Sequence, residues 1–255
     1  MRNLVKILLI AVIYCLCFTQ TTKAQDGYFY DMGISLGPVA FQSDYGERGD
    51  FDTNAGNVGF GGSIFAYINF PYDFDNYFND HFKIRAELSY HSTNLDHFGI
   101  YTENDTESFK LQAMTGKSSV FEIGPSLEYH YNSIRDYESG QMKFSPFVGL
   151  GLRLVLPSAS ASTTLSGGTL GQDRSVTWPT FIGRIDQSPG ITGAIVGDIG
   201  FRYKINRESD LVFSSKWNYY FSDVVDGLDP NNVNNRSNDW IWTVSVGYIY
   251  YFDFF

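Results

Sequence analysis

Two short stretches of the chain line up groups that nucleophilic chemistry uses. In Glu87-Leu88-Ser89-Tyr90-His91 and in Glu128-Tyr129-His130, carboxylate, hydroxyl and imidazole recur at intervals of two residues. In an extended chain every second side chain points the same way, so Glu87, Ser89 and His91 share a face, as do Glu128 and His130. A serine, a histidine base and a carboxylate on adjacent strands are the parts of a hydrolase acting on lipid or peptide. The competing reading makes them members of an interior hydrogen-bond network. Spacing of two brings such neighbours together often by chance, so the network reading is favoured and no enzymatic activity is expected. His81 and His97 have no such partners. A second candidate is Asp50-x-Asp52-x-Asn54, which opens like a calcium loop, with Asp44 and Glu47 nearby. Ala55 stands where the turn glycine belongs and Gly61 where the bidentate glutamate belongs, so a solvated acidic loop is the favoured reading. No metal or cofactor is expected.

The elements that must position these groups read as strands. In HFKIRAELSYH (81–91), Phe82, Ile84, Ala86, Leu88 and Tyr90 fall on one parity and Lys83, Arg85, Glu87, Ser89 and His91 on the other, a period of two. Eight such segments are expected, at 27–41, 57–70, 81–93, 118–132, 142–156, 191–205, 210–222 and 240–255. In 142–156, for example, Phe144, Pro146, Val148, Leu150, Leu152 and Leu154 oppose Lys143, Ser145, Gly149, Gly151 and Arg153.

The apolar parity carries no charge within any strand. The polar parity carries Asp31, Glu87, Glu122, Glu128, Asp198 and Asp253 against Lys83, Arg85, Lys143, Arg153, Arg202, Lys204 and Lys216. A solvated face tolerates any sign, whereas a closed interior needs balance, because an unpaired buried charge costs several kcal/mol. These thirteen residues therefore read as an ion-paired lumen, in which neutralising Glu122 would leave an inward base unpaired. The greasy parity then faces lipid. Aromatic residues make up 17% of the chain and glycines number 25, which suits a membrane barrel with aromatic girdles better than a soluble β-sandwich.

The N-terminus reads as a secretory signal. Arg2 and Lys6 precede the apolar run Ile7–Phe18, too short to span a bilayer, and Thr22-Lys23-Ala24 offers a cleavage site. The expected domains are a signal at 1–24 and a single barrel at 25–255. Both cysteines, Cys15 and Cys17, lie in the signal, which excludes a disulfide framework or thiol chemistry beyond it. Removing Arg2, Lys6 and Lys23 from the 18 basic side chains leaves 15 against 28 acidic, a net of −13. That charge argues against nucleic acid as a partner.

Connections at 42–56, 94–117, 157–190 and 223–239 are long, and those at 71–80, 133–141 and 206–209 are short. This alternation is that of an outer-membrane barrel with long extracellular loops, short periplasmic turns and periplasmic termini. Eight strands leave an interior just wide enough to be filled by side chains. The alternative is ten strands, with Ser158–Leu165 and Ser175–Ile182 as an extra hairpin. The expected fold is thus all-β, a transmembrane up-and-down barrel in contact with outer-membrane lipid. The expected function is structural or partner-binding, with a small barrel enzyme or a narrow channel as alternatives.

Two resemblances add to this. GISLGPVAFQSDYGERGDFDTNAGNVGFG (33–61) and FNDHFKIRAELSYH (78–91) are similar to a family of outer-membrane β-barrel proteins from Flavobacteria and related Bacteroidota, over roughly residues 28–156. More distantly, Asp31, Gly33 and Gly37 stand where PorG-like barrels of the type IX secretion system carry an E/D-x-G-x-x-x-G pattern. The second resemblance implies an accessory role in protein secretion, with other envelope or secretion-system proteins as partners. A dehydrogenase is excluded: Gly59-Phe60-Gly61 is followed by Ile64 where a dinucleotide loop needs its third glycine.

Overall fold

The computed structural model describes residues 30–46, 56–70, 76–103, 105–229 and 238–252. Eight strands follow one another: β1 (Tyr30–Gln42), β2 (Val58–Asn69), β3 (Phe82–Asp96), β4 (Met114–His130), β5 (Phe144–Thr163), β6 (Thr192–Lys204), β7 (Ser209–Tyr220) and β8 (Trp240–Phe252). Each pairs antiparallel with its neighbours in sequence. β8 returns to β1, Phe252 opposite Tyr30 and Trp240 opposite Gln42, and closes the barrel. The ten-strand arrangement does not form. The β4–β5 ladder continues past the apolar alternation, Met114 opposite Thr163, so residues 158–163 prolong β5 instead of starting a hairpin. Residues 175–182 form turns and a short 3-10 helix at Pro179–Phe181.

The two parities go opposite ways. On β5 the outward row runs Phe144, Pro146, Val148, Leu150, Leu152, Leu154, Leu156; Leu150 is 66% exposed, while the inward Arg153 is 5% exposed and Arg202 on β6 is fully buried. A charged interior under an apolar exterior suits a barrel whose outer solvent is lipid. At roughly 3.3 Å per residue and a tilt of roughly 40°, the row from Phe144 to Leu156 stands about 30 Å tall, the thickness of a bilayer's hydrocarbon core. Aromatic rings gather at its two ends: on β8, Trp240 and Trp242 lie above Val244 and Val246, with Tyr248, Tyr250 and Phe252 below. Ser215, a polar group on this face, accepts a hydrogen bond from the Trp242 indole at 2.8 Å. Above Leu156 the outward row of β5 turns polar, with Ser158, Ser160 and Ser162, so the sheet rises beyond the belt there.

Gly37-Pro38 and Gly124-Pro125 mark where neighbouring strands crowd. Each proline removes a ladder donor. A Cβ at Gly37 would run into the Val244 carbonyl, and one at Gly124 into the Leu152 carbonyl.

Among the described residues three one-turn helices sit at the ends: α1 (Tyr77–His81) and α3 (Ile134–Glu138) at the lower end, where β1 begins, and α2 (Ser108–Ala113) at the upper end. Both ends of the lumen are covered. Below, Ile134 and Tyr137 of α3 are buried. Above, an apolar cluster fills the mouth. Inward residues of the strand tops (Val39, Phe41, Leu95, Val120, Val155, Ile241) meet Phe181 from the β5–β6 connection and Val225 and Leu228 from the β7–β8 connection. The two connections are latched together by an Ile185–Leu228 bridge and by Asp186 N donating to Gly227 O at 2.9 Å.

Candidate functional site

Because inward side chains come from all eight strands at intervals of two, the lumen is built in tiers. In the lowest tier Lys83 Nζ meets Asp31 at 3.0 Å and Glu138 of α3 at 2.6 Å. The Arg202 guanidinium lies 4.0 Å from the centre of the Tyr67 ring, a cation–π contact, and within 3.7 Å of both Asp31 and Glu128. Lys204 pairs with Asp210 at 3.4 Å over the rings of Tyr137 and Tyr251. In the middle tier Arg85 bridges Glu128 at 2.5 Å, Asp198 at 2.6 Å and Glu87 at 3.2 Å. Glu87 also holds Arg153 at 2.8 Å and Lys216. In the upper tier Glu122 accepts from Tyr220 at 2.7 Å, Asn218 at 2.6 Å and Ser89 at 3.3 Å, with His91 Nε2 at 3.9 Å. A cavity of about 10 Å³, lined by Ser35, Ser63, Ser89, His91, Glu122 and Thr243 among others, remains between this tier and the middle one. That is room for about one water molecule.

Several sequence expectations need correction. Lys143 is exposed and does not enter the lumen. It precedes β5 in the lower turn, where its carbonyl accepts from Lys204 N at 2.9 Å. Among the described residues Glu122 has no lysine or arginine within ion-pair distance; its donors are neutral hydroxyl and amide groups, so its loss would orphan no described lysine or arginine. Asp253 and the loop residues Asp50, Asp52 and Asn54 lie outside the described residues. The lumen holds charges that sequence reasoning passed over. Asp210 lies near the start of β7 on the inward parity, and Glu138 arrives from the lower connection, where alternation gives no signal. Counting these, seven described acids face six bases in the lumen (Asp31, Glu87, Glu122, Glu128, Glu138, Asp198, Asp210 against Lys83, Arg85, Arg153, Arg202, Lys204, Lys216).

The hydrolase geometry fails at His91, because Ser89 donates to Glu122 and not to the imidazole. A different group does assemble. His130 Nδ1 lies 3.2 Å from Ser145 Oγ, and its Nε2 lies 3.5 Å from Glu128. Sequence reasoning missed Ser145, which sits on the neighbouring strand with no spacing to betray it. All three are buried above the α3 plug, and Glu128 is already held by Arg85 and Arg202. The string Gly33-Ile34-Ser35-Leu36-Gly37 also reads G-x-S-x-G. It lies in mid-strand β1 with Ser35 bonded to Ser63 at 2.8 Å, and not on the strand-to-helix elbow that exposes a nucleophile. His81 is tied by Nδ1 to the His130 carbonyl at 2.8 Å. His97 stacks on Tyr45 at 4.5 Å in the upper cap, and burial lowers its pKa to about 3, so it is neutral.

Two aspartate carboxyl groups hold the cap closed. Asp239 accepts from Val225 N at 2.9 Å and Asp226 N at 3.1 Å, and Asp226 accepts from Leu228 N at 2.8 Å and Asp44 N at 2.6 Å. Burial, with the neighbouring aspartates, pushes Asp44 up to about 11. Burial raises Asp226 to about 7 and carries Asp239 well above the carboxylate range. Among the described residues no group of three or more histidines, cysteines and acids is arranged to hold a metal.

No family profile matches the sequence, and no curated protein matches it either. Solved structures of similar shape include Neisserial surface protein A (16% identity over 89% of this chain and 100% of that one, TM-score 0.46). A major outer membrane protein from Thermus thermophilus is another (12% identity, 89% and 100% covered, TM-score 0.48). The outer membrane enzyme PagL is a third (10% identity, 86% and 98% covered, TM-score 0.38). At these identities and scores no function carries over.

Proposed function

We propose that this chain is a non-enzymatic outer-membrane β-barrel that presents a partner-binding surface on a sealed, ion-paired scaffold. The observation that carries the reading is the inversion of the wall: an apolar belt of bilayer height outside, and paired charges closed off at both ends inside. In this reading the short turns and termini face the periplasm. The described parts of the two upper connections, latched at Ile185–Leu228, form an extracellular platform, and polar loops on such a platform are the natural place for recognition. Other envelope or secretion-system proteins, and outer-membrane lipid, are the partners. The lumen network locks the barrel and carries no substrate. Single-channel recording on the reconstituted protein tests the seal, with no steady conductance expected and a stable ion-selective current overturning it.

The Ser145–His130–Glu128 geometry is the one observation that favours a second reading, a small barrel hydrolase. His130→Ala and Ser145→Ala separate the two. A scaffold keeps its partner in both variants, whereas an enzyme loses lipid or peptide hydrolysis in both.

A further inference from the structure

The two short helices at the lower end go opposite ways. α3 turns in, burying Ile134 and Tyr137 beneath the lumen. α1 turns out and buries nothing. Tyr77 is 62% exposed, and Phe78 is exposed beside it. Their rings are not loose. Tyr77 stacks on His81 at 4.1 Å, and its hydroxyl meets that of Tyr129 at 2.8 Å. Phe78 stacks on Phe82 at 4.5 Å and touches Phe70 at 5.1 Å. Phe82 and Tyr129 face each other across the β3–β4 ladder as the lowest outward pair of the apolar belt. The result is one aromatic plate continuous with the belt, reaching below it. The plate is clamped to the barrel, since Asp80 accepts from Ser133 Oγ, the cap of α3, at 2.8 Å, and Asn76 caps α1 at Phe78 N.

A turn surrounded only by water would gain by tucking such rings under the mouth, as α3 does with Tyr137. Rings with an apolar body and a hydroxyl tip are matched to the boundary between acyl chains and headgroups. We propose that α1 is an interfacial anchor. Tyr77 and Phe78 rest in the phospholipid headgroup region, continue the lipid contact of Phe82 and Tyr129, and fix the depth of the β2–β4 side of the barrel. The proposal rests on the reading that the belt spans a bilayer. Its ligand is the interface of that same bilayer, on the side where the short turns lie.

Residues 25–255 contain no cysteine, so single nitroxide labels can be placed cleanly. Phe78→Cys and Tyr77→Cys report on the anchor, Leu150→Cys on the middle of the belt and Arg207→Cys on the exposed β6–β7 turn. Each is reconstituted in phosphatidylethanolamine–phosphatidylglycerol vesicles, and accessibility to oxygen and to a water-soluble nickel chelate is measured. The expected result places both anchor labels between Leu150 and Arg207, at the polar–apolar boundary. Anchor labels that match Arg207, while Leu150 reads lipid, overturn the anchor alone. Anchor labels shielded from both reagents overturn it too, in favour of a protein contact. A Leu150 label open to the chelate overturns the membrane-spanning reading and the anchor with it.

Discussion

Glu87→Gln is the substitution that most severely tests the lumen. Glu87 touches three cations, and their fates differ. Arg85 keeps Glu128 at 2.5 Å and Asp198 at 2.6 Å. Arg153 and Lys216 have no other acid within ion-pair distance among the described residues. The glutamine retains one acceptor for one of them but no charge, so both buried cations are left without a counter-charge. Breaking a buried pair from one side costs about 3–5 kcal/mol. That is roughly two to three and a half orders of magnitude in the folded-to-unfolded ratio. The assay is reversible denaturant unfolding of the barrel in detergent or lipid, with an unchanged slope and a lowered midpoint. Lys216→Met is the control: it leaves Glu87 with Arg85 and Arg153 and is expected to cost less. The double variant Glu87→Gln/Lys216→Met should recover part of the loss, because it deletes an orphaned charge. A Glu87→Gln barrel within about 0.5 kcal/mol of the parent, the range of an ordinary surface change, would refute the reasoning and mean that water already screens the lumen.

The upper cap should loosen as pH rises. Asp226 is raised from an ordinary carboxylate value to about 7, so the closed cap binds more protons than the open one between about pH 4 and 7. The stability from this group is present at low pH and lost as pH climbs through the folded value. Amide exchange at Val225 and Leu228, corrected for intrinsic rates, should therefore show less protection at pH 8 than at pH 5, and Asp226→Asn should flatten the difference. Leu150→Arg, at the middle of the belt, is expected to cost about 2–4 kcal/mol on folding into vesicles; a neutral outcome would place that face out of lipid. Gly37→Ala pushes a methyl into the Val244 carbonyl and should lower the unfolding free energy by roughly 1–3 kcal/mol, as overpacking does.

The barrel itself was legible because its period of two is enforced by two immiscible surroundings. The same cause explains the errors. Apolar alternation on β5 stops at Leu156 because the belt stops there, while the ladder runs on to Thr163 with serines facing water. Alternation marks lipid contact and not the end of a strand. The cap was invisible for a related reason: Val39, Phe41, Leu95, Val155 and Ile241 are apolar residues on the inward parity. Sorting by charge alone passed them over, although greasy inward residues gathered at the same end of several strands are a usable signal for an apolar plug. Glu138, Ser145 and Asp210 were missed because their roles depend on which strand or turn lies opposite, which no spacing within one strand records. Lys143 was misplaced by extending the parity one residue beyond the strand.

Lipid meets one parity of each strand and the sealed lumen the other. Paramagnetic broadening by acyl-chain spin-labelled lipid, read residue by residue along β5, measures that directly. It should alternate from Phe144 to Leu156, strong at Val148, Leu150, Leu152 and Leu154, weak at Ser145, Gly151 and Arg153, and fade above Ser158. Broadening that falls on Arg153 and spares Leu150, or that shows no alternation at all, would contradict it.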